Sequence, residues 1–137
     1  MQIPIYLDVF LSPIRDSVPA QVAICAALLL ICADIVFGVI GAAMRHEFSS
    51  QKMREGIGHK CAELGLLFVG LIADGCLLGG VDLGFKSAVL PFAAGYVCVM
   101  EIGSLMEIFA RMNPELKDSP AFKLLEISHK THDQKEA

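Results

Sequence analysis

Five carboxylates, Asp34, Glu63, Asp74, Glu101 and Glu107, lie inside the most apolar stretches of the chain, and the only basic residue sharing those stretches is Arg111, near the end of the last. An acid at the centre of a membrane span costs about 2.5–3.5 kcal/mol on insertion scales, so it normally faces protein or water rather than lipid. Such a group can carry a proton, pair with a cation or line a wet surface. Its neighbours on the helix narrow the choice. Asp34, Gly38, Gly41 and Arg45 follow one another at offsets of four, seven and eleven, which at 100° per residue places them in a strip about 60° wide. Glu63, Gly70 and Asp74 repeat the alignment, while Glu101, Ser104 and Glu107 step by three and drift through about 120° into a broader polar flank. Small residues let helix backbones approach closely in lipid, where packing and polar contacts replace the hydrophobic drive. Each face is therefore suited to another helix or to water.

The elements that must hold these residues are three apolar blocks, 18–44, 61–81 and 88–112. A helix rising 1.5 Å per residue needs about 20 largely apolar residues to cross about 30 Å of hydrocarbon, and each block supplies them. A compact soluble three-helix protein is the alternative, but with 55% hydrophobic residues too little polar surface remains to cover three such blocks in water. Gly41-Ala42-Ala43 faintly resembles a signal-peptide cleavage site; the preceding apolar stretch is too long and its flank too poor in basic residues for one. The expected fold is a single all-α membrane domain with three transmembrane helices. Residues 1–17 form an N-terminal segment, 45–60 and 82–87 the connectors, and 113–137 a tail.

Orientation follows the Lys and Arg of short flanking loops. Arg45, Lys52, Arg54 and Lys60 fall in the first connector, and Arg111, Lys117, Lys123, Lys130 and Lys135 at or beyond the end of the last block. Together these are nine of the eleven basic residues. The expectation is a cytoplasmic first connector and C-terminus with the N-terminus outside. The opening segment mixes Ile3, Ile5, Tyr6, Leu7, Val9 and Phe10 with Asp8, Pro13, Arg15 and Asp16; it is too short and broken to span, and reads either as an amphipathic interfacial helix or as a frayed terminus. In the tail, Asn113-Pro114 and Ser119-Pro120 have the form of an N-cap followed by Pro at the first helical position, the start of short surface helices. Gly79-Gly80 reads as a helix stop.

Several function classes find no support. The five cysteines form no C-x-x-C pair and read as small hydrophobes, and His129 and His132 lack the further ligands of a metal site. No catalytic motif and no nucleotide-binding glycine run is present, so neither an enzyme nor a cofactor is expected, and no basic tract points to nucleic acid. Three short spans without an internal repeat make a poor proton-coupled transporter, even with Asp34 or Glu101 as carrier. Two roles then remain for the acids. They are packed and paired within one chain, against Arg45, Lys52, Lys60 or Arg111, or they belong to an oligomer whose helices expose acidic faces to a water-filled lumen.

The stretch "CADIVFGVIGAAMRHEFSSQKMREGIGHKCAEL" sets Asp34, Gly38, Ser49-Ser50, Gly56 and Lys60 in order, and "YVCVMEIGSLMEIFARMNPEL" carries Glu101, Ser104 and Glu107. This pattern resembles the phage holin family, which includes the toxin-secretion and phage-lysis holins of Gram-positive bacteria. In that family an Asp and a Gly mark the first conserved span, Ser-Ser precedes a Gly and a Lys in the connector, and Glu-x-x-Ser-Ile-x-Glu-Asn marks the last span. Here Leu105 stands for the Ile and Ile108 for the Asn. The resemblance covers about Ala33 to Leu116. It implies a multi-pass protein of the bacterial cytoplasmic membrane whose partners are the bilayer, further copies of itself, and an endolysin or large toxin as cargo. On that footing Asp34, Glu63, Asp74 and Glu101 line or gate the assembly, Gly38 and Gly41 form a contact face, and Ser49 and Ser50 start the helix that leads into the second span. The competing reading is a non-pore membrane anchor that binds another protein through its connector and tail.

Overall fold

A computed structural model describes residues 5–85, 88–120 and 122–124. Among the described residues the chain forms the α-helices α1 (Ile5–Arg15), α2 (Val18–Met44), α3 (Ser50–Leu78) and α4 (Val89–Met112), followed by a 3₁₀ turn, Pro114–Asp118. Three helical segments, Val18–Met44, Met53–Leu78 and Val89–Met112, are long and apolar enough to cross a bilayer, and the described residues contain no strand. The expected all-α architecture with three such helices is what the structure holds. His129, His132 and the rest of the tail beyond residue 124 lie outside the described residues, as does Lys86 of the second connector.

Each helix end has a local chemical cause. Ser17 caps α2 by accepting the Ala20 N–H at 3.3 Å, with Pro19 in the first turn where its missing donor costs nothing. At the other end, Glu47 N–H bonds Ala42 O at 3.1 Å and His46 N–H bonds Ala43 O at 3.2 Å, the paired bonds of a Schellman stop. That stop needs a left-handed residue, and here it is His46 at φ 54° rather than glycine. The same pair of bonds ends α3, where Gly80 supplies φ 85° without strain. In the tail, Asn113 accepts the Glu115 N–H at 3.1 Å and Ser119 accepts the Phe122 N–H at 3.2 Å, so both Pro-flanked positions cap turns.

The core is small-residue packing between three helices. Ala27 and Ile31 of α2, Leu67 of α3, and Ala93, Ala94 and Val97 of α4 form one buried cluster. Phe37 and Phe109 meet edge to face, ring centroids 4.9 Å apart, further along the α2–α4 seam. In the most apolar 18-residue window of α2 only 11% of the residues are buried. Leu29, Phe68 and Phe92, from three different helices, are each more than 60% exposed. Apolar surface on this scale requires lipid or further protein around it.

The N-terminal segment forms α1 and docks on α3. Phe10 lies against Gly75 so closely that a Cβ on that glycine would stand 3.1 Å from the Phe10 Cα. Pro13 inside α1 removes the donor that Val9 O would otherwise receive, and the Ser12 hydroxyl donates to that carbonyl at 2.7 Å instead. Arg15 pairs with Asp8 and Asp16, and its hydrogen bond holds the Asp16 carboxyl below the usual carboxylate range. Ile5, Tyr6 and Leu7 remain exposed on the free side.

Candidate functional site

Lys60 stands ten residues beyond the start of α3, Asp34 ten residues before the end of α2, and Glu101 eleven residues before the end of α4. Because α3 runs antiparallel to the other two, these offsets put all three side chains at one level, about 15 Å inside the same end of the bundle. The Lys60 ammonium lies 2.8 Å from Asp34 Oδ2 and 3.5 Å from Glu63 Oε2, and it donates a hydrogen bond to Glu101 Oε1. Glu101 is fully buried and Asp34 is 9% exposed. One oxygen of each acid, Asp34 Oδ1, Glu63 Oε2 and Glu101 Oε2, is buried without a hydrogen-bond partner.

The cluster has one lysine for three carboxylates. A buried ion pair holds only where attraction and hydrogen bonds offset the desolvation of both partners. Lys60 meets that condition for itself, since each of its oxygen neighbours comes from a carboxylate. The acids do not, because three share one cation. Among the described residues no group of His, Cys, Asp or Glu is arranged to hold a metal ion.

Two cavities flank the cluster and share Asp34, Gly56, Lys60 and Arg111 in their walls. The one between α2 and α3, about 430 Å³, runs past Ile35, Val39 and Leu64 toward Arg45, Glu47 and Ser49. The other, about 970 Å³, runs between α3 and α4 past Glu63, Ser104 and Glu107 toward Lys117. Both open toward the end that carries the α2–α3 connector, where the first turns of α3 stand clear of their neighbours and residues 53–59 are exposed. Below the cluster, Ile31, Leu67 and Val97 close the bundle.

The remaining site residues take separate places. Gly38 and Gly41 face Ile108 of α4, whose side-chain carbons would lie 3.9 and 3.8 Å from a Cβ on either glycine. Arg45 lies back over Gly41, its guanidinium 3.3 Å from where a Cβ would stand, and pairs with Glu47 at 3.3 Å. Gly70 meets α4 where a Cβ would stand 3.1 Å from the Leu90 Cα. Asp74 accepts the N–H groups of Val89 at 2.7 Å and Leu90 at 2.9 Å, a cap on α4 supplied from α3. Ser49 has N-cap backbone geometry, but its side chain makes no capping hydrogen bond, and Ser50 is the first residue of α3. Glu107 pairs with Arg111 at 3.1 Å on the surface, and Ser104, half-buried, lines the larger cavity.

The sequence brings the acids forward and sets Lys60 at the end of the first connector. Its signal was present: Lys60 and Glu63 are three apart, neighbours on a helix, and the segment from Ser50 onward contains no helix breaker except two glycines. Ile108, which stands where the family pattern has Asn, packs over the two glycines of α2.

The model of the bacteriophage holin family matches residues 19–119 of the chain, which takes in all three membrane-spanning helices and the cluster between them. No curated protein and no solved structure matches it.

Proposed function

The chain belongs to the bacteriophage holin family, a family of non-enzymatic, multi-pass proteins of the cytoplasmic membrane, and from that premise we propose that it is a holin that assembles with its own copies and opens holes. The cargo is an endolysin, or a large protein toxin that leaves the cell by the same route. The first connector and the C-terminus face the cytoplasm and the N-terminus faces outward, in keeping with the basic residues that the sequence carries in the first connector and from Arg111 onward.

The observation that carries this reading is the charged cluster hidden at mid-bundle. Asp34, Glu63, Glu101 and Lys60 bury four ionisable groups of three helices against one another, while the outer surfaces of the same helices are apolar. Such a chain has a closed arrangement in which these groups are held against one another and away from lipid. A second arrangement turns them toward water between several copies. Asp34, Glu63 and Glu101 are then the acids that line or gate the hole, with Gly38 and Gly41 as close-packing positions. Asp74 contributes by fixing the start of α4.

Expression in a bacterial cytoplasmic membrane tests it. The expected result is an abrupt arrest of growth with release of a cytosolic marker protein. Retention of the marker at high expression, including after the membrane is de-energised, overturns the reading and leaves the membrane-anchor role.

A further inference from the structure

We propose that the Asp34–Glu63–Glu101 cluster is a proton-binding site: two protons shared among the three carboxyl groups balance it in the closed bundle, and they exchange with water only through the connector end. The inference rests on the holin reading for its consequence, opening, but not for the site itself.

Charge counting comes first. Among the described residues the charged groups that face the cluster can be named, and the thiols beside them, Cys61 on the smaller cavity and Cys98 one turn before Glu101, supply no positive charge. From α2 it is Asp34; Arg45 is engaged by Glu47 at the rim. From α3 come Lys60, Glu63 and His59, the last an exposed residue on the wall of the larger cavity. From α4 comes Glu101, while Glu107 and Arg111 neutralise each other at the surface. Lys117 of the 3₁₀ turn lies on the same outer wall. Among the described residues only Lys60 touches the acids, so three ionised carboxylates would leave two negative charges within the bundle that no described cation compensates. Uncompensated charge at that depth costs several kcal/mol per ion, and a carboxyl group avoids it by taking a proton.

Geometry shows where those protons sit. Three carboxylate oxygens from three helices, Asp34 Oδ1, Glu63 Oε2 and Glu101 Oε2, are buried without a hydrogen bond, Glu63 Oε2 having only the Lys60 ammonium 3.5 Å away. A proton on one of them turns an acceptor without a donor into a donor, in a cluster whose other carboxylate oxygens are acceptors. The fully buried Glu101 accepts from Lys60 through Oε1 alone, leaving Oε2 as a protonation position.

Access is one-sided. The two cavities that reach Asp34 and Lys60 open toward Ser49 and Lys117. The cavity at the opposite end is lined by Asp74, Leu77 and Phe85 and shares no residue with the cluster, and the Ile31, Leu67 and Val97 layer lies between. The acids therefore sense the pH of the compartment that the α2–α3 connector faces. Any rearrangement that wets them releases protons, so opening is favoured as pH rises there and opposed as it falls, by up to about tenfold per pH unit for each proton released.

Infrared spectroscopy of the full chain in lipid bilayers, kept closed at low protein density, reads the site directly. At neutral pH the wild type is expected to show a protonated-carboxyl C=O band that Asp34→Asn, Glu63→Gln and Glu101→Gln each reduce by about half. A wild-type spectrum without that band, or a band that all three variants leave unchanged, overturns the proposal. Glu63→Gln removes the most peripheral acid and keeps the test open should a deeper variant fail to fold. Marker release from vesicles with the pH changed on one face only then reads the consequence: acceleration by a rise on the connector face is expected, and an equal response to either face overturns the one-sided access. Vesicles that never leak, with the band intact, count against hole formation and leave the proton site standing.

Discussion

Lys60 of α3 and Asp34 of α2 form an ion pair of 2.8 Å between side chains that are 14% and 12% exposed. Desolvation at that depth is what makes the pair consequential. On the surface such a pair contributes under about 1 kcal/mol, whereas removing one partner of a buried pair costs about 3–5 kcal/mol because the other charge is left alone. Lys60→Met is therefore expected to destabilise the folded chain in detergent by about that amount, since it strands three acids at once. Asp34→Asn leaves Lys60 with two carboxylates and is expected to cost less. Equilibrium unfolding of the two single variants and the double variant checks this through a coupling of about 0.5–3 kcal/mol; strict additivity would mean that the pair does not hold α3 to α2.

Asp74 works at the other end of α3 and by a different principle. Its carboxylate receives two N–H groups of the first turn of α4, which have no intrahelical acceptor. Asp74→Ala is expected to cost about 0.5–2 kcal/mol. Hydrogen exchange locates the effect: faster exchange of the Val89 and Leu90 amides, with α2 unchanged. Uniform loss of protection across all four helices would assign Asp74 a role in the whole bundle instead.

Part of this arrangement is legible in the residues alone. The apolar blocks mark three membrane-spanning helices because lipid demands length and apolarity, which are local properties. The strip of Glu63, Gly70 and Asp74 does face α4, because helical periodicity is also local. Lys60 is a different matter. Hydropathy ends the second block at Cys61, but the helix starts at Ser50 and is continuous through Lys60, with Gln51 bonding Glu55 at 3.0 Å on the way. Periodicity likewise aligned Arg45 with Asp34; the chain leaves the helix at His46 and brings Glu47 within reach of the guanidinium first. The capping role of Asp74 depends on Val89 and Leu90, fifteen and sixteen residues away, and no local pattern encodes that meeting.

α1 is held by a close approach rather than by charge. A Cβ on Gly75 would fall 2.5 Å from the ring of Phe10 and 3.1 Å from its Cα, nearer than side chains pack. Gly75→Ala is expected to destabilise by about 1–3 kcal/mol, the usual range for overpacking. Phe10→Ala in the same chain is expected to restore part of that loss by removing the ring. Thermal unfolding gives the size, and proteolysis within α1 gives the place. Failure of the second substitution to rescue the first would put the strain elsewhere.

His46 carries the opposite prospect. A left-handed non-glycine residue costs about 1–2 kcal/mol in backbone energy, and glycine at the same place does not. His46 sits at φ 54° in the Schellman stop of α2 and is exposed. His46→Gly is expected to raise stability by up to about 1 kcal/mol, the gain reduced by the greater freedom of glycine in the unfolded chain. A fall in unfolding temperature would show that the His46 side chain has a partner worth more than the strain.

The timing of hole formation ought to respond to the cluster in a definite direction. In the closed bundle Asp34 shares Lys60 with Glu63 and Glu101, and Asn in its place keeps the shape but gives up the charge. The closed arrangement loses the 2.8 Å pair with Lys60, whereas an arrangement that wets the position has no such pair to lose. The equilibrium therefore moves toward the open assembly, tenfold for each 1.4 kcal/mol of difference. Asp34→Asn is expected to insert normally and to release the marker protein earlier than wild type. Lys60→Met is expected to act in the same direction and more strongly. Growth curves with immunoblots of the membrane fraction measure both quantities in one culture. Normal insertion with an unchanged release time in both variants would remove Asp34 and Lys60 from the opening step.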